Sequence, residues 1–141
     1  MRTWTVVADA SRARIFETNG AKDGLREVRT LVHPSSRSKT SELVSDRAGR
    51  ISKGAGHSAM DARTPAHEVQ ADEFAAILAD EMDKALEQNR CGELVLVVPP
   101  RFLGRLRSVI SHRVMNAVIK TVQKELTQCS EYELAAVLSL Q

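Results

Sequence analysis

His57 stands in the stretch ISKGAGHSAMDAR, residues 51 to 63, with Gly54 and Gly56 before it, Ser58 beside it and Lys53 and Arg63 on the flanks. A histidine next to a serine invites comparison with a base and its nucleophile. Neighbours at i and i+1 do not turn their side chains toward each other, however, and no acid is placed to orient the ring. GxSxG is absent, and no GK[ST] follows GAG to make a phosphate-binding P-loop. His57 is therefore kept as a lone hydrolytic candidate, ranked below binding.

The other chemistry-bearing residues are scattered. The four histidines, His33, His57, His67 and His112, show neither HxxxH nor HExxH spacing, and Cys91 and Cys129 form no CxxC pair. Neither a metal, a disulfide framework nor a cofactor is expected. Two-metal nuclease chemistry needs carboxylates converging on shared ions. Asp9, Glu73 and Asp80 are the acids to check, yet the apolar run LVLVVPP supplies none at its end. Asp9 is expected to accept backbone hydrogen bonds in a turn instead.

Charge points to binding. From Ser35 to Arg63 the cations Arg37, Lys39, Arg47, Arg50, Lys53 and Arg63 outnumber Glu42, Asp46 and Asp61, a local excess of +3 against +2 for the whole 141-residue chain. Backbone amides at Gly54 and Gly56 have room to approach a phosphate closely. The nucleic-acid-binding candidates are thus Arg47, Arg50, Lys53, Gly54, Gly56, His57 and Arg63. A second cluster, Arg101, Arg105, Arg107 and Arg113, reads mainly as a solvated helix face. Aromatic residues are few, one Trp, one Tyr and three Phe, and most occupy apolar stretches, which disfavours base stacking as a reading mode.

These residues need a scaffold, and periodicity predicts one. Trp4, Val6 and Ala8 alternate with Thr3, Thr5 and Val7, and RARIFE continues the period-two pattern after the short link DASR. Two antiparallel strands follow, then a third over LREVRTLVH beyond the turn dipeptides Asn19-Gly20 and Asp23-Gly24. Residues 34–64 lose all periodicity and form a long basic loop. Thr64-Pro65 opens a helix carrying Phe74, Ile77, Leu78, Met82 and Leu86 at helical spacing. ELVLVVPP is a central strand buried on both sides. Phe102, Leu103, Leu106, Val109 and Ile110 mark a second helix, NAVIKTVQKEL is assigned to a strand, and Ser130 with Glu133 is a capping box for the last helix. The expected fold is α/β, a single mixed-sheet domain over residues 1–141 in the order β-β-β-α-β-α-β-α. That element order is shared by ribonuclease H-like nucleases.

Two resemblances give these elements a context. KGAGHSAMDAR resembles the glycine-rich loop of the middle domain of archaeal and eukaryotic peptide-chain release factors, where Gly-Gly-Gln, Ser-Ala and a basic segment lead into a long helix. The matching positions are Ala55, Gly56 and His57, then Ser58 and Ala59, with Arg63 in the basic segment. The triplet departs at two positions of three, and a histidine replaces the glutamine that places the hydrolytic water. The likeness therefore implies a fold and an RNA surface rather than peptidyl-tRNA hydrolysis.

Over nearly the whole chain, WTVVADASRARIFE, HEVQADEFAAILADEMDKAL, LVLVVPPRFLGRLR and KELTQCSEYEL are similar to the bacterial family named for attachment to host cells, a small relative of that release-factor domain. The resemblance implies a role in attachment without stating a mechanism. With no signal-peptide pattern at the start and no apolar run near the roughly 18 residues of a membrane span, a cytoplasmic protein without membrane insertion is expected. The leading expectation is a non-catalytic module that binds the ribosome or structured RNA through its basic loop. The alternative is a regulatory factor that acts through protein partners without touching nucleic acid.

Overall fold

In a computed structural model of the chain, which describes residues 2–19, 24–34 and 65–140, five strands form one mixed sheet in the order β3-β2-β1-β4-β5. Strands β1 (Thr3–Ala8), β2 (Arg12–Thr18) and β3 (Arg26–Val32) pair antiparallel. Strand β4 (Glu93–Val97) lies parallel to β1, and β5 (Val118–Val122) parallel to β4. The tight first hairpin comes from Asp9, whose Oδ1 accepts the backbone N–H groups of Ser11 and Arg12, both at 2.9 Å. A carboxylate two and three residues ahead of its donors is an Asx turn, as the sequence predicts.

Period-two alternation sorts the side chains of β1 onto two faces, and both are covered. Trp4, Val6 and Ala8 join Ile15, Leu94 and Leu96 on one side. Helix α1 (Pro65–Glu87) seats Phe74, Leu78 and Met82 there, and helix α2 (Pro100–Arg107) adds Phe102, Leu103 and Leu106. Val7, Phe16, Val95, Val97 and Val122 face the other way, under Leu134 of helix α4 (Glu131–Leu140). Each fully buried side chain of this size contributes about 1.5–3 kcal/mol by leaving water. The unbroken apolar run of β4 follows from its place between two covered layers.

The structure departs from the predicted order at one point. Helix α3 (His112–Ala117) precedes β5, so the order is β-β-β-α-β-α-α-β-α. Ser111 caps α3 by accepting the Val114 N–H at 3.1 Å, a local start signal that β-branched composition further along obscures. The predicted apolar stripe on α2 is also shorter than expected. The N–H groups of Ser108, Val109 and Ile110 turn back to the Arg105 and Leu106 carbonyls. Val109 is left 45% exposed as the chain leaves the helix.

Both edge strands are interrupted. The pairing skips Val28 on β3 and Ile119 on β5, and each skipped residue faces solvent. Bulges of this kind blunt an edge against pairing with another chain.

Candidate functional site

The carboxyl ends of β1, β4 and β5 lie side by side at one end of the sheet. Above β1, Asp9 Oδ2 stands 3.4 Å from the buried Thr127 hydroxyl, which donates to Glu125 at 2.8 Å. Arg14 on β2 secures the same segment. Its Nε and Nη2 form a fork on the Glu27 carboxylate at 3.3 and 3.0 Å, while Nη1 donates to the carbonyls of Thr127 and Cys129. The guanidinium also stacks over Phe16, 4.9 Å from the ring centre. The Arg14 hydrogen bond, helped by the Thr30 hydroxyl, holds the Glu27 carboxyl below its ordinary range against the opposing effect of burial. Beside this network a cleft of about 370 Å³ opens between Arg12, Arg14, Thr30, Val32, Thr127 and Gln128.

A second network joins the end of β3 to α1. His33, at the end of β3, is only 3% exposed. Its backbone N–H donates to the Ser11 carbonyl at 3.0 Å, and its ring packs edge-on to Phe74 with centroids 6.2 Å apart. With Nε2 protonated the ring donates to Glu73 at 3.0 Å, leaving Nδ1 to accept from the Gln70 amide at 3.5 Å. Glu73 and Gln70 belong to the first turns of α1. The two ends of the chain between β3 and α1 are thereby tied together beside the Asp9 turn.

The predicted binding residues Arg47, Arg50, Lys53, Gly54, Gly56, His57 and Arg63 lie outside the described residues. The predicted acids do not converge. Asp9 is engaged by its turn, Glu73 by His33 and Asp80 by Lys84 at 3.1 Å. Among the described residues no three ligating side chains gather as they would around a metal ion. The second basic cluster divides. Arg105 pairs with Asp72 and with Glu68 at 3.7 Å, and Arg113 with Asp83 at 3.7 Å. Arg101 and Arg107 are exposed and make no ion pair among the described residues.

Burial pushes the Cys91 thiol up to about 11, despite the neighbouring Arg90, and keeps it protonated. Sequence reading did not single out Arg14, the hub of the first network. Its one local signal is that it shares a strand face with Phe16 in a period-two segment.

With this geometry in place, relatives are informative. The family described as protein required for attachment to host cells matches residues 4–138. The chain belongs to that family. No curated protein sequence matches this host-attachment family member. Among solved structures it is similar to an archaeal translation termination factor at 12% identity and a TM-score of 0.50, over 99% of this chain and 39% of that one. The host-attachment chain thus spans well under half of that factor's length, and the likeness is one of fold. The type II variant of the Aquifex aeolicus Ppx/GppA phosphatase is similar at 15% identity, 86% and 35% coverage and a TM-score of 0.43. Among the described residues of the family member, no helix is long and apolar enough to cross a membrane.

Proposed function

We propose that this host-attachment family protein is a cytoplasmic, non-catalytic module that binds structured RNA, on or off the ribosome, through the basic segment between β3 and α1. One observation carries the reading. His33 ties the end of β3 to Glu73 and Gln70 of α1 at the carboxyl end of the parallel strands, and the sequence between these two elements carries an excess of +3. Open α/β sheets bind ligands at that end, where the chain turns to opposite sides after neighbouring strands. Arg47, Arg50, Lys53 and Arg63 supply the cations, and Gly54 and Gly56 the close backbone approach. His57 stands in the position of the release-factor glutamine, and its different shape and donors favour binding over hydrolysis.

The test is co-sedimentation of the purified protein with ribosomes and with total RNA at about 50 and 200 mM salt, since each phosphate contact adds roughly 0.7–0.9 to the salt slope. The expected result is binding that weakens steeply with salt and is lost in the variant R47E/R50E/K53E. No association at the lower salt would refute the reading and favour protein partners.

A further inference from the structure

Most arginines and lysines of the described residues are neutralised, as Arg14 is by Glu27, Arg29 by Glu81 and Arg105 by Asp72. Arg12, Arg101 and Lys124 are exposed and join no ion pair among those residues. Their places in the fold are related. Each follows the carboxyl end of one of the three parallel strands: Arg12 comes after β1, which ends at Ala8, Arg101 after β4, which ends at Val97, and Lys124 after β5, which ends at Val122. Arg12 opens β2, Arg101 stands in the first turn of α2 beyond β4, and Lys124 follows β5, so the three cations lie near one end of the sheet, spread across β2, β1, β4 and β5. Three interstrand gaps of about 4.8 Å give that spread a span of roughly 14 Å. The three other cations outside ion pairs among the described residues sit differently: Arg107 closes α2, Lys120 is half-buried on β5 with its Nζ donating to the Leu138 carbonyl at 2.9 Å, and Arg2 lies at the opposite end of the sheet, where its carbonyl accepts from Gly92.

The acids at this edge are turned elsewhere. Asp9 accepts from the Ser11 and Arg12 backbone and stands against Thr127, while Glu125 accepts the Thr127 N–H at 3.1 Å and its hydroxyl at 2.8 Å. Three exposed cations beyond the carboxyl ends of the parallel strands therefore have no carboxylate partner among the described residues. Stacking residues are not offered beside them. Trp4, Phe16, Phe74 and Phe102 are buried, and the exposed Tyr132 lies on α4 next to Glu131, whose carboxylate bonds the Glu27 N–H far along β3.

We infer that Arg12, Arg101 and Lys124 form a second, rigid phosphate-binding row that tracks the backbone of a double-stranded RNA element. The inference rests on the RNA-binding reading above and extends it from the basic segment to the sheet. Without exposed rings nearby, recognition is by shape and phosphate spacing, which suits a duplex better than a splayed single strand. A row of this length spans several successive phosphates of one strand, enough for each cation to meet its own group.

The experiment is fluorescence anisotropy of a labelled synthetic RNA hairpin against the full chain, titrated with salt. Wild type is compared with R12A/R101A/K124A, the charge-preserving R12K/R101K/K124R and R47E/R50E/K53E, each checked for an unchanged melting temperature. The alanine variant is expected to reduce the slope of log K against log salt by about 2–3, roughly one for each lost contact, equally on hairpins of different sequence. The charge-preserving variant is expected to keep the wild-type slope.

An unchanged slope in the alanine variant, with binding lost in R47E/R50E/K53E, would overturn the row and leave the basic segment as the RNA contact. The converse pattern would support the row and overturn the segment. A wild-type protein that ignores the hairpin overturns the row, whatever it does with ribosomes or acidic proteins.

Discussion

Arg14 Nη1 donates to the Thr127 carbonyl at 2.9 Å across 113 residues of chain, and this bond joins the first hairpin to the segment that leads into the last helix. The same side chain holds Cys129 and Glu27, so one guanidinium satisfies acceptors from two separate stretches. Its side chain is 17% exposed. Arg14→Ala should cost about 2–4 kcal/mol, because two carbonyls and a partly buried carboxylate lose their donor. Urea unfolding is the check: the midpoint should fall with little change in slope, whereas a loss under about 0.5 kcal/mol would show that water replaces the bonds.

Glu27 makes part of that stability depend on pH. Arg14 lowers its carboxyl in the folded protein from an ordinary value of 4.5. A depressed folded value means that the contribution is complete above about 4.5 and is lost as pH falls through the lower, folded value. Glu133 is lowered in the same direction by the Ser130 N–H and hydroxyl. Thermal melts from pH 6 down to about pH 3 should therefore show falling stability, with a shallower decline in Glu27→Gln. Identical pH profiles for the two proteins would remove Glu27 from the account.

The start of α4 rests on a reciprocal cap. Glu133 N–H donates to Ser130 Oγ at 3.1 Å, and the Ser130 N–H donates to the Glu133 carboxylate at 2.8 Å. Ser130→Ala should cost about 1 kcal/mol and Ser130→Asp much less. Amide exchange in the first turn of α4 should quicken in the alanine variant alone. Equal exchange in all three proteins would mean that packing of Leu134 holds the helix without its cap.

The cysteines should react in a fixed order. Cys91 is buried with its thiol raised to about 11, while Cys129 is half-buried. A thiol-specific disulfide reagent at neutral pH should titrate one group promptly and the second only after unfolding, because the thiolate is the reacting form. Removal of the slow phase by Cys91→Ala identifies the residues. Retention of it would reverse the assignment.

The strands and helices that carry short-range signals were legible residue by residue. Alternation from Thr3 to Phe16, the Asp9 turn, Pro65 at the head of α1 and the Ser130–Glu133 box all act over a few positions. The C-terminal region was harder. Met115, Ile119, Val122 and Leu126 satisfy a helical period, while Val118, Ile119, Thr121 and Val122 favour a strand. The structure uses both, with α3 ending at Ala117 and β5 beginning at Val118. The Ser111 cap that starts α3 is a weak signal on its own.

Sequence by itself determined the α/β class, most of the elements, the family resemblance and the +3 excess of the segment between β3 and α1. Those properties depend on residue type and on spacing within one or two turns. Tertiary structure alone decided which cations are in ion pairs among the described residues and which are not. Arg105 reads like Arg101 in the sequence, yet it meets Asp72 of α1, 33 positions away, and Arg14 meets Cys129, 115 positions away. The physical reason is that charge pairing, and the gathering of unpaired cations at one end of the sheet, depend on sheet order and helix crossovers. Local periodicity carries no information about those distances.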